Sequence, residues 1–165
     1  MLRKLIVVGA IALLPTLAMA VPQARDWELT LSGTGGSDTD FEATSFGAEG
    51  ELGYYAVENV ELYLRQAISY TDAEGTDSTW DGSTRVGAAY NFALSDDWRP
   101  YAGANLGYRY GDLTDDSWIA GLEAGLKYYV NTTTFVFGQV GYDFLLEESF
   151  GDGVWVYSLG IGFNF

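Results

Sequence analysis

The sequence predicts an all-β protein, an eight-stranded antiparallel barrel of up-and-down topology, and three observations support this fold class. From Val21 onward, apolar residues alternate with small or polar ones, and no helical period of useful length replaces this period of two. The connections between these segments alternate between tight or neutral ones and ones rich in Gly, Ser, Thr and Asp, as in a meander of hairpins. Aromatic residues gather at both ends of the apolar face.

The first residues are predicted to be a signal peptide (residues 1–20) that is cleaved from the mature domain (residues 21–165). Arg3 and Lys4 form a basic start, an apolar run follows at 5–14, and the segment ends on small residues around Met19. This order of basic, apolar and small residues is typical of secretory signals, and the apolar run is too short to span a bilayer. The protein is therefore expected to be exported.

Composition excludes several classes of function. The chain has no cysteine, so it can form no disulfide framework and cannot be a lipoprotein acylated on cysteine. It has no histidine, which removes the residue most often used as a general base near neutral pH. With 8 basic and 23 acidic residues the formal net charge is −15, which argues against a nucleic-acid partner.

Eight segments alternate over lengths that suit tilted membrane strands of roughly 9–11 residues with extensions. The predicted strands, in order, are 26–33, 41–55, 60–71, 79–93, 99–110, 117–130, 134–146 and 154–165. Tight or neutral connections are predicted at 56–59, 94–98 and 131–133. Connections rich in Gly, Ser, Thr and Asp are predicted at 34–40, 72–78, 111–116 and 147–153.

The composition of the two faces indicates which one points inward. The last strand places Tyr157, Leu159 and Ile161 on one face, and Ser158, Gly160 and Gly162 on the other. Glycine weakens a strand and gains nothing on a solvated surface, whereas a narrow eight-stranded interior needs small residues beside a few large charged ones. The glycine-rich polar face is therefore predicted to line the lumen and the apolar face to meet lipid, which makes the barrel transmembrane.

Rings on the apolar face form two predicted belts, one at each membrane-water interface. The belt at the acidic-loop end contains Tyr70, Trp80, Tyr110, Trp118, Phe144 and Trp155. The opposite belt contains Trp27, Tyr54, Phe92, Tyr128, Phe163 and Phe165. Gln66 departs from the pattern, because it falls on the lipid-facing side between Leu64 and Ile68.

With its signal peptide, eight alternating strands and last strand ending in Phe165, the chain resembles the small eight-stranded outer-membrane β-barrels, such as the OmpA membrane domain and the OmpX and Ail group. The resemblance implies a monomer in the outer membrane of a Gram-negative bacterium, in contact with lipid and lipopolysaccharide. It also implies that the last strand closes the barrel against the first. Phe163 and Phe165 would be the signal read by the outer-membrane assembly machinery.

Charged residues on the polar face form the first candidate site. Buried charges are tolerated only when paired, and the near balance of acids and bases predicts an ion-pair network that fills the lumen. The alternative is that they line a water-filled path and set its selectivity. The set is Glu49, Glu51, Glu61, Arg65, Arg85, Arg109, Glu123, Lys127 and Asp143.

Acidic residues of the predicted outer loops form the second candidate site. They are expected to be a solvated, mutually repelling surface, with loose Ca²⁺ or Mg²⁺ binding as the sharper hypothesis. Residues 112–116 lack the full Asp and Glu spacing of a calcium loop, which makes the signal for this cation weak, and no other cofactor is predicted. The set is Asp72, Glu74, Asp77, Asp112, Asp115, Asp116, Glu147, Glu148 and Asp152, with Asp38 and Asp40 in the first loop.

These observations favour a non-enzymatic outer-membrane protein with a structural or surface-interaction role. Lipid-modifying enzymes of similar barrels rely on a histidine beside a serine, and no serine here has such a base. A narrow, porin-like channel for small polar or cationic solutes is the alternative function. A soluble periplasmic ligand-binding barrel is the third.

Overall fold

The computed structural model describes residues 22–37, 43–73, 77–112, 117–147 and 153–165. Within them the chain forms a closed barrel in which each strand pairs antiparallel with the next and the last pairs with the first, which confirms the predicted fold class. The strands are β1 (Trp27–Ser37), β2 (Ala43–Val57), β3 (Val60–Ala73), β4 (Thr79–Asn91), β5 (Trp98–Gly111), β6 (Ser117–Tyr129), β7 (Thr134–Leu145) and β8 (Val154–Asn164).

Strand boundaries differ from the prediction by a few residues at the ends. β1 continues to Ser37 because it pairs with β2 as far as Thr44, although the prediction ended this strand at residue 33. β2 continues through an irregularity between Tyr55 and Val57, so the predicted turn at 56–59 shortens to Glu58 and Asn59. The end of the barrel that carries 58–59, 92–97 and 130–133 is called the turn end below, and the opposite end the loop end.

The two faces of the wall have the predicted inside-out arrangement. On β3, Leu62 and Leu64 are 49% and 50% exposed on the outside, while Arg65 beside them is 5% exposed inside the lumen. The same alternation of exposed apolar and buried polar residues continues on β4 and β6. Such a barrel satisfies its backbone hydrogen bonds within the wall while presenting apolar side chains to lipid. Among the described residues, no helix is long and apolar enough to cross a membrane.

Glycines on the inner face make room for rings from the neighbouring strand. The Tyr63 ring lies over Gly87, so a Cβ added to Gly87 would overlap it, and the Tyr101 ring covers Gly125 in the same way. Phe135 and Phe137 cover the two glycines of β8 at 160 and 162. The glycine-rich face was therefore correctly assigned to the lumen, and its glycines hold space for aromatic side chains as well as charges.

Aromatic pairs lie on the outer wall at both ends of the barrel. At the loop end the ring centroids are 4.8 Å apart in Tyr70–Trp80, 5.5 Å in Tyr108–Trp118 and 5.0 Å in Tyr142–Trp155. At the turn end they are 5.0 Å apart in Trp27–Tyr54, 4.9 Å in Tyr90–Phe92 and 4.6 Å in Trp98–Tyr128. The belts therefore consist of rings paired between or along adjacent strands, as amphipathic side chains at two interfaces require.

Gln66 has a local partner set that explains a polar residue on the lipid-facing side. Its Nε2 donates to the Tyr110 hydroxyl at 2.8 Å and to the Ala67 carbonyl at 3.1 Å, and its Oε1 accepts from Thr84 Oγ1 at 2.6 Å. The Tyr110 ring crosses Gly82, where a Cβ would overlap it. The amide is thus fully hydrogen-bonded within the wall, which lowers the cost of placing it against lipid.

The seam between β1 and β8 is paired over only part of its length. The ladder runs from Glu28 opposite Asn164 to Ser32 opposite Gly160. At the turn end, Trp27 and Phe165 extend it by exchanging two backbone hydrogen bonds of 2.9 Å. Beyond Ser32, β1 still pairs with β2 and β8 still pairs with β7, but β1 and β8 do not pair with each other. The barrel is therefore closed at its turn end and has an open seam toward its loop end.

Candidate functional site

The turn-end half of the lumen is filled by a group of side chains around Lys127, here called the lysine cluster: Glu28, Tyr55, Glu61 and Lys127. The Lys127 Nζ lies 2.6 Å from Glu28 Oε1 and 2.9 Å from Glu61 Oε2, and it donates to the Tyr55 hydroxyl at 3.1 Å. Tyr55 in turn donates to Glu28 Oε2 at 2.9 Å. Since β1, β2, β3 and β6 all contribute, the cluster ties opposite walls of the barrel together.

A second group lies next to the lysine cluster, on its loop-end side, and is here called the arginine cluster: Glu49, Glu51, Arg65 and Glu123. Arg65 Nη2 is 2.6 Å from Glu51 Oε2, its Nη1 is 2.8 Å from Glu123 Oε2, and its Nε is 3.6 Å from Glu49 Oε1. Glu123 also accepts hydrogen bonds from the following residues: Tyr63 at 2.8 Å, Asn105 at 3.2 Å and Gln139 at 3.3 Å. Arg65 on β3 and Glu123 on β6 thereby bridge the lumen.

Toward the loop end the lumen widens into a cavity of about 430 Å³, here called the vestibule. Arg85 and Asp143 form an ion pair of 2.7 Å across it, and Arg85 makes two further contacts of 3.4 Å, to Ser83 Oγ and Asn105 Oδ1. Arg109 lines the same cavity. The ion pair is partly exposed, with side-chain exposures of 15% and 14%, whereas those of Arg65 and Glu123 are 6% and 2%.

The structure brings the predicted lumen residues together in three groups rather than one. Glu61 and Lys127 lie in the lysine cluster. Glu49, Glu51, Arg65 and Glu123 form the arginine cluster. The vestibule contains Arg85, Arg109 and Asp143.

Charged lumen residues absent from the predicted set include Glu28 and Arg99, besides Asp81 of the vestibule wall. Glu28 is fully buried and supplies the shortest ion pair of the lysine cluster, and Arg99 is 1% exposed at the start of β5. Both could have been found by counting in twos, from Thr30 back to Glu28 and from Arg109 back to Arg99. They were missed because each lies at a strand end, where the alternation is hardest to follow.

Three lumen carboxylates lie close enough to suggest a cation. Oxygen atoms of Glu28, Glu51 and Glu61 lie within 4.8 Å of one another. The Lys127 ammonium group already binds two of the three. The chain therefore supplies its own cation at this point.

Only part of the predicted acidic-loop set lies in the described residues. Asp72, Asp77, Asp112 and Glu147 are exposed there. Asp112 Oδ2 accepts a hydrogen bond of 3.1 Å from the Trp80 amide and so caps the hairpin. Outside the described residues lie Asp38, Asp40, Glu74, Asp115, Asp116, Glu148 and Asp152.

The aromatic residues of the predicted assembly signal lie at the closed end of the seam. Phe163 is opposite Leu29 in the β1–β8 ladder, and Phe165 exchanges backbone hydrogen bonds with Trp27. The pair therefore occupies the point where the last strand meets the first.

Comparison with known proteins gives a consistent set of relatives. A family model described as outer membrane protein beta-barrel domain matches residues 9–165. Outer membrane porin F of Pseudomonas aeruginosa is 31% identical over 131 residues, which is 70% of this chain and 37% of that protein. The chain thus spans little more than a third of that relative.

Solved structures agree with this result. The N-terminal β-barrel domain of Pseudomonas aeruginosa OprF has a TM-score of 0.65 at 25% identity, covering 87% of this chain and 100% of that one. Ail of Yersinia pestis in a phospholipid nanodisc has a TM-score of 0.60 at 12% identity, covering 86% and 99%. At that identity the likeness to Ail is one of fold.

Proposed function

Because the chain belongs to the outer membrane protein β-barrel domain family, we propose that it is a non-enzymatic protein of the Gram-negative outer membrane with a structural or surface-interaction role. The observation that carries this proposal is the cross-barrel network. Lys127 and Arg65 join opposite walls through buried carboxylates, and the lumen at their level is occupied by side chains. Such a plug favours a barrel that anchors and stiffens the membrane over one that conducts solutes.

The absence of histidine from the sequence supports a role without catalysis. Ser83, a buried serine of the lumen, has Arg85 as its side-chain contact at 3.4 Å, and a guanidinium group cannot accept its proton. The family resemblance supports lipid, lipopolysaccharide and the assembly machinery as partners, with Phe163 and Phe165 as the assembly signal. Loose Ca²⁺ or Mg²⁺ binding at the acidic loops remains a hypothesis that calorimetric titration would test.

A narrow channel is the second candidate function. It is favoured by the vestibule, which opens the loop-end half of the lumen. It is also favoured by the sequence similarity to outer membrane porin F of Pseudomonas aeruginosa. Conduction would require a continuous path past the arginine and lysine clusters, where Tyr55 and Phe135 are fully buried. The plug is therefore the better-supported reading of the same lumen.

Single-channel conductance of the refolded protein in a planar bilayer tests the choice. We expect no steady conductance from the parent protein and small openings from Glu123→Ala, because this change removes the carboxylate that Arg65 and three other side chains share. Arg85→Ala, which changes only the vestibule pair, is expected to remain silent. Steady conductance in the parent, with a selectivity that Arg85→Ala alters, would make the channel the correct function.

A further inference from the structure

We propose that the vestibule binds a single-chain amphiphile with a carboxylate headgroup, of the fatty-acid class, which enters from the membrane through the open β1–β8 seam. The proposal is independent of whether the lumen conducts. It rests on the shape of the cavity, the composition of its two walls, and the place where the seam opens.

The seam opens directly into the vestibule. β1 contributes Ser32 and Gly33 to the cavity wall, and β8 contributes Val154, Val156 and Ser158. Ser32 forms the last β1–β8 pair, opposite Gly160, and the other four residues lie beyond it, where the two strands do not pair. On the outer side, Leu159 is 75% exposed, the highest value among the exposed large hydrophobic residues of the wall. The unpaired part of the seam therefore borders the cavity directly.

Unpaired strand edges at membrane depth need an explanation. Backbone polar groups in hydrocarbon are costly unless bonded or facing water, so irregular backbone is tolerated only beside protein or a water-filled space. Trp155, in the loop-end belt, marks the interface, which leaves residues 156–159 of β8 within the apolar band. The edge of β8 borders the vestibule there, whose wall includes charged and polar side chains, so a lateral opening is physically consistent with this seam.

The walls of the vestibule have opposite character. Ile119, Leu145, Val154 and Val156 give an apolar wall on β6, β7 and β8 next to the seam, and Ile119 is 3% exposed. Arg85 and Arg109 give a cationic wall on β4 and β5. In the register of these strands Ser83 is opposite Arg109 and Arg85 is opposite Gly107, which makes the arginines diagonal neighbours on the inner face.

This arrangement matches an acyl chain with a carboxylate at one end. A guanidinium group has five donors, and Arg85 uses its strongest contact on Asp143, its two other contacts being 3.4 Å long. Carboxylates are preferred partners of such groups. A cavity of about 430 Å³ lies in the range of small-molecule sites. Asp72, Asp77, Asp112 and Glu147, the described acidic residues exposed at this end of the barrel, oppose entry of an anion from water, which leaves the seam as the favoured route.

Photolabelling with dodecanoate carrying a diazirine near its methyl end tests the proposal, with the protein refolded in phosphatidylcholine vesicles and adducts mapped by mass spectrometry. We expect adducts on Ile119, Leu145 and Val156, competed by unlabelled dodecanoate. Arg109→Gln is expected to reduce the yield of these adducts about tenfold. The double variant Arg85→Gln/Arg109→Gln is expected to reduce the yield further. Labelling by the corresponding diazirine alcohol, which has no charge, should be unaffected by either variant. Arg109→Gln alone keeps the test valid if loss of the Arg85–Asp143 pair prevents folding.

The route is tested by closing the seam. The chain has no cysteine, so a pair of introduced cysteines forms a defined disulfide. Continuing the register beyond Ser32 and Gly160 brings Gly35 opposite Tyr157, and the oxidised Gly35→Cys/Tyr157→Cys variant should lose the lumen adducts. Oxidised Leu31→Cys/Ile161→Cys, at a position that is already paired, should keep them. Adducts confined to lipid-facing residues, or lumen adducts that persist in the arginine variants or in the closed seam, would overturn the proposal.

Discussion

The two halves of the barrel lumen differ although the same eight strands build both. At the turn end the seam is paired and the interior is packed with rings and cross-barrel ion pairs. At the loop end the seam is open, the interior holds a cavity, and its ion pair is partly exposed. Strand pairing and interior packing are therefore correlated in this barrel. Where buried ion pairs join opposite walls, β8 also pairs with β1.

Removal of a cation should have a much larger effect in the turn-end half. Lys127→Met leaves Glu28 and Glu61 buried without their cation, and we expect a loss of about 3–5 kcal/mol in the free energy of unfolding. Arg85→Met, the matched change in the vestibule, leaves Asp143 partly hydrated and should cost about 1–2 kcal/mol. Urea-induced unfolding in lipid vesicles measures both. Equal losses would mean that the two halves do not differ in packing.

Amide hydrogen exchange should distinguish the two parts of β8. Residues 160–163 pair with both β7 and β1, whereas residues 154–158 pair only with β7. We expect exchange at least about tenfold slower for amides of the first group, because their hydrogen bonds lie within a ladder closed on both sides. Strand β4, paired on both sides from Asp81 to Tyr90, is the control. Uniform protection along β8 would indicate that the seam closes in the membrane.

Glycine substitutions should sharpen the comparison further. Gly87→Ala forces the Tyr63 ring away from the inner wall, and we expect a loss of about 1–3 kcal/mol in the free energy of unfolding. In Gly33→Ala, beside the open seam, the added Cβ meets the Gly47 carbonyl at 3.5 Å, an ordinary contact distance, and stability should change by less than about 0.5 kcal/mol. The same urea titration measures both variants. A costly Gly33→Ala would mean that the seam is packed more tightly than its pairing suggests.

A small effect is also expected on the outer wall. Gln66→Leu removes a polar side chain from the lipid-facing side but leaves the Thr84 and Tyr110 hydroxyls without their amide partner. We expect a change within about 1 kcal/mol for Gln66→Leu. Gln66→Leu with Thr84→Val should be more stable than Gln66→Leu alone, since the second change removes the Thr84 hydroxyl that the first leaves without its amide partner. Vesicle unfolding of the two variants, compared with Thr84→Val alone, checks the order.

Most of the fold could be predicted from sequence because alternation is a local property of a strand. The period of two identified every strand of the barrel, and the glycines of the inner face indicated its inside-out character. Strand ends were less well predicted, because pairing with a neighbour, as between β1 and β2, carries a strand beyond its own pattern. Glu28 and Arg99 lie inside the predicted strands 26–33 and 99–110, close to their first residues, but were left out of the predicted charge set.

The arrangement of the charges could not be predicted to the same depth. The alternation along each strand identifies which charged residues face inward. Ion-pair partners such as Arg65 and Glu123, or Lys127 and Glu28, are far apart in sequence and meet only when the barrel closes with a particular stagger of its strands. The sequence by itself determined the strands, their inner and outer faces and the set of charges inside. Only the tertiary structure decided which charges pair, that the lumen is packed at one end and hollow at the other, and that the seam opens beside the hollow end, because each depends on strand register across the closed barrel.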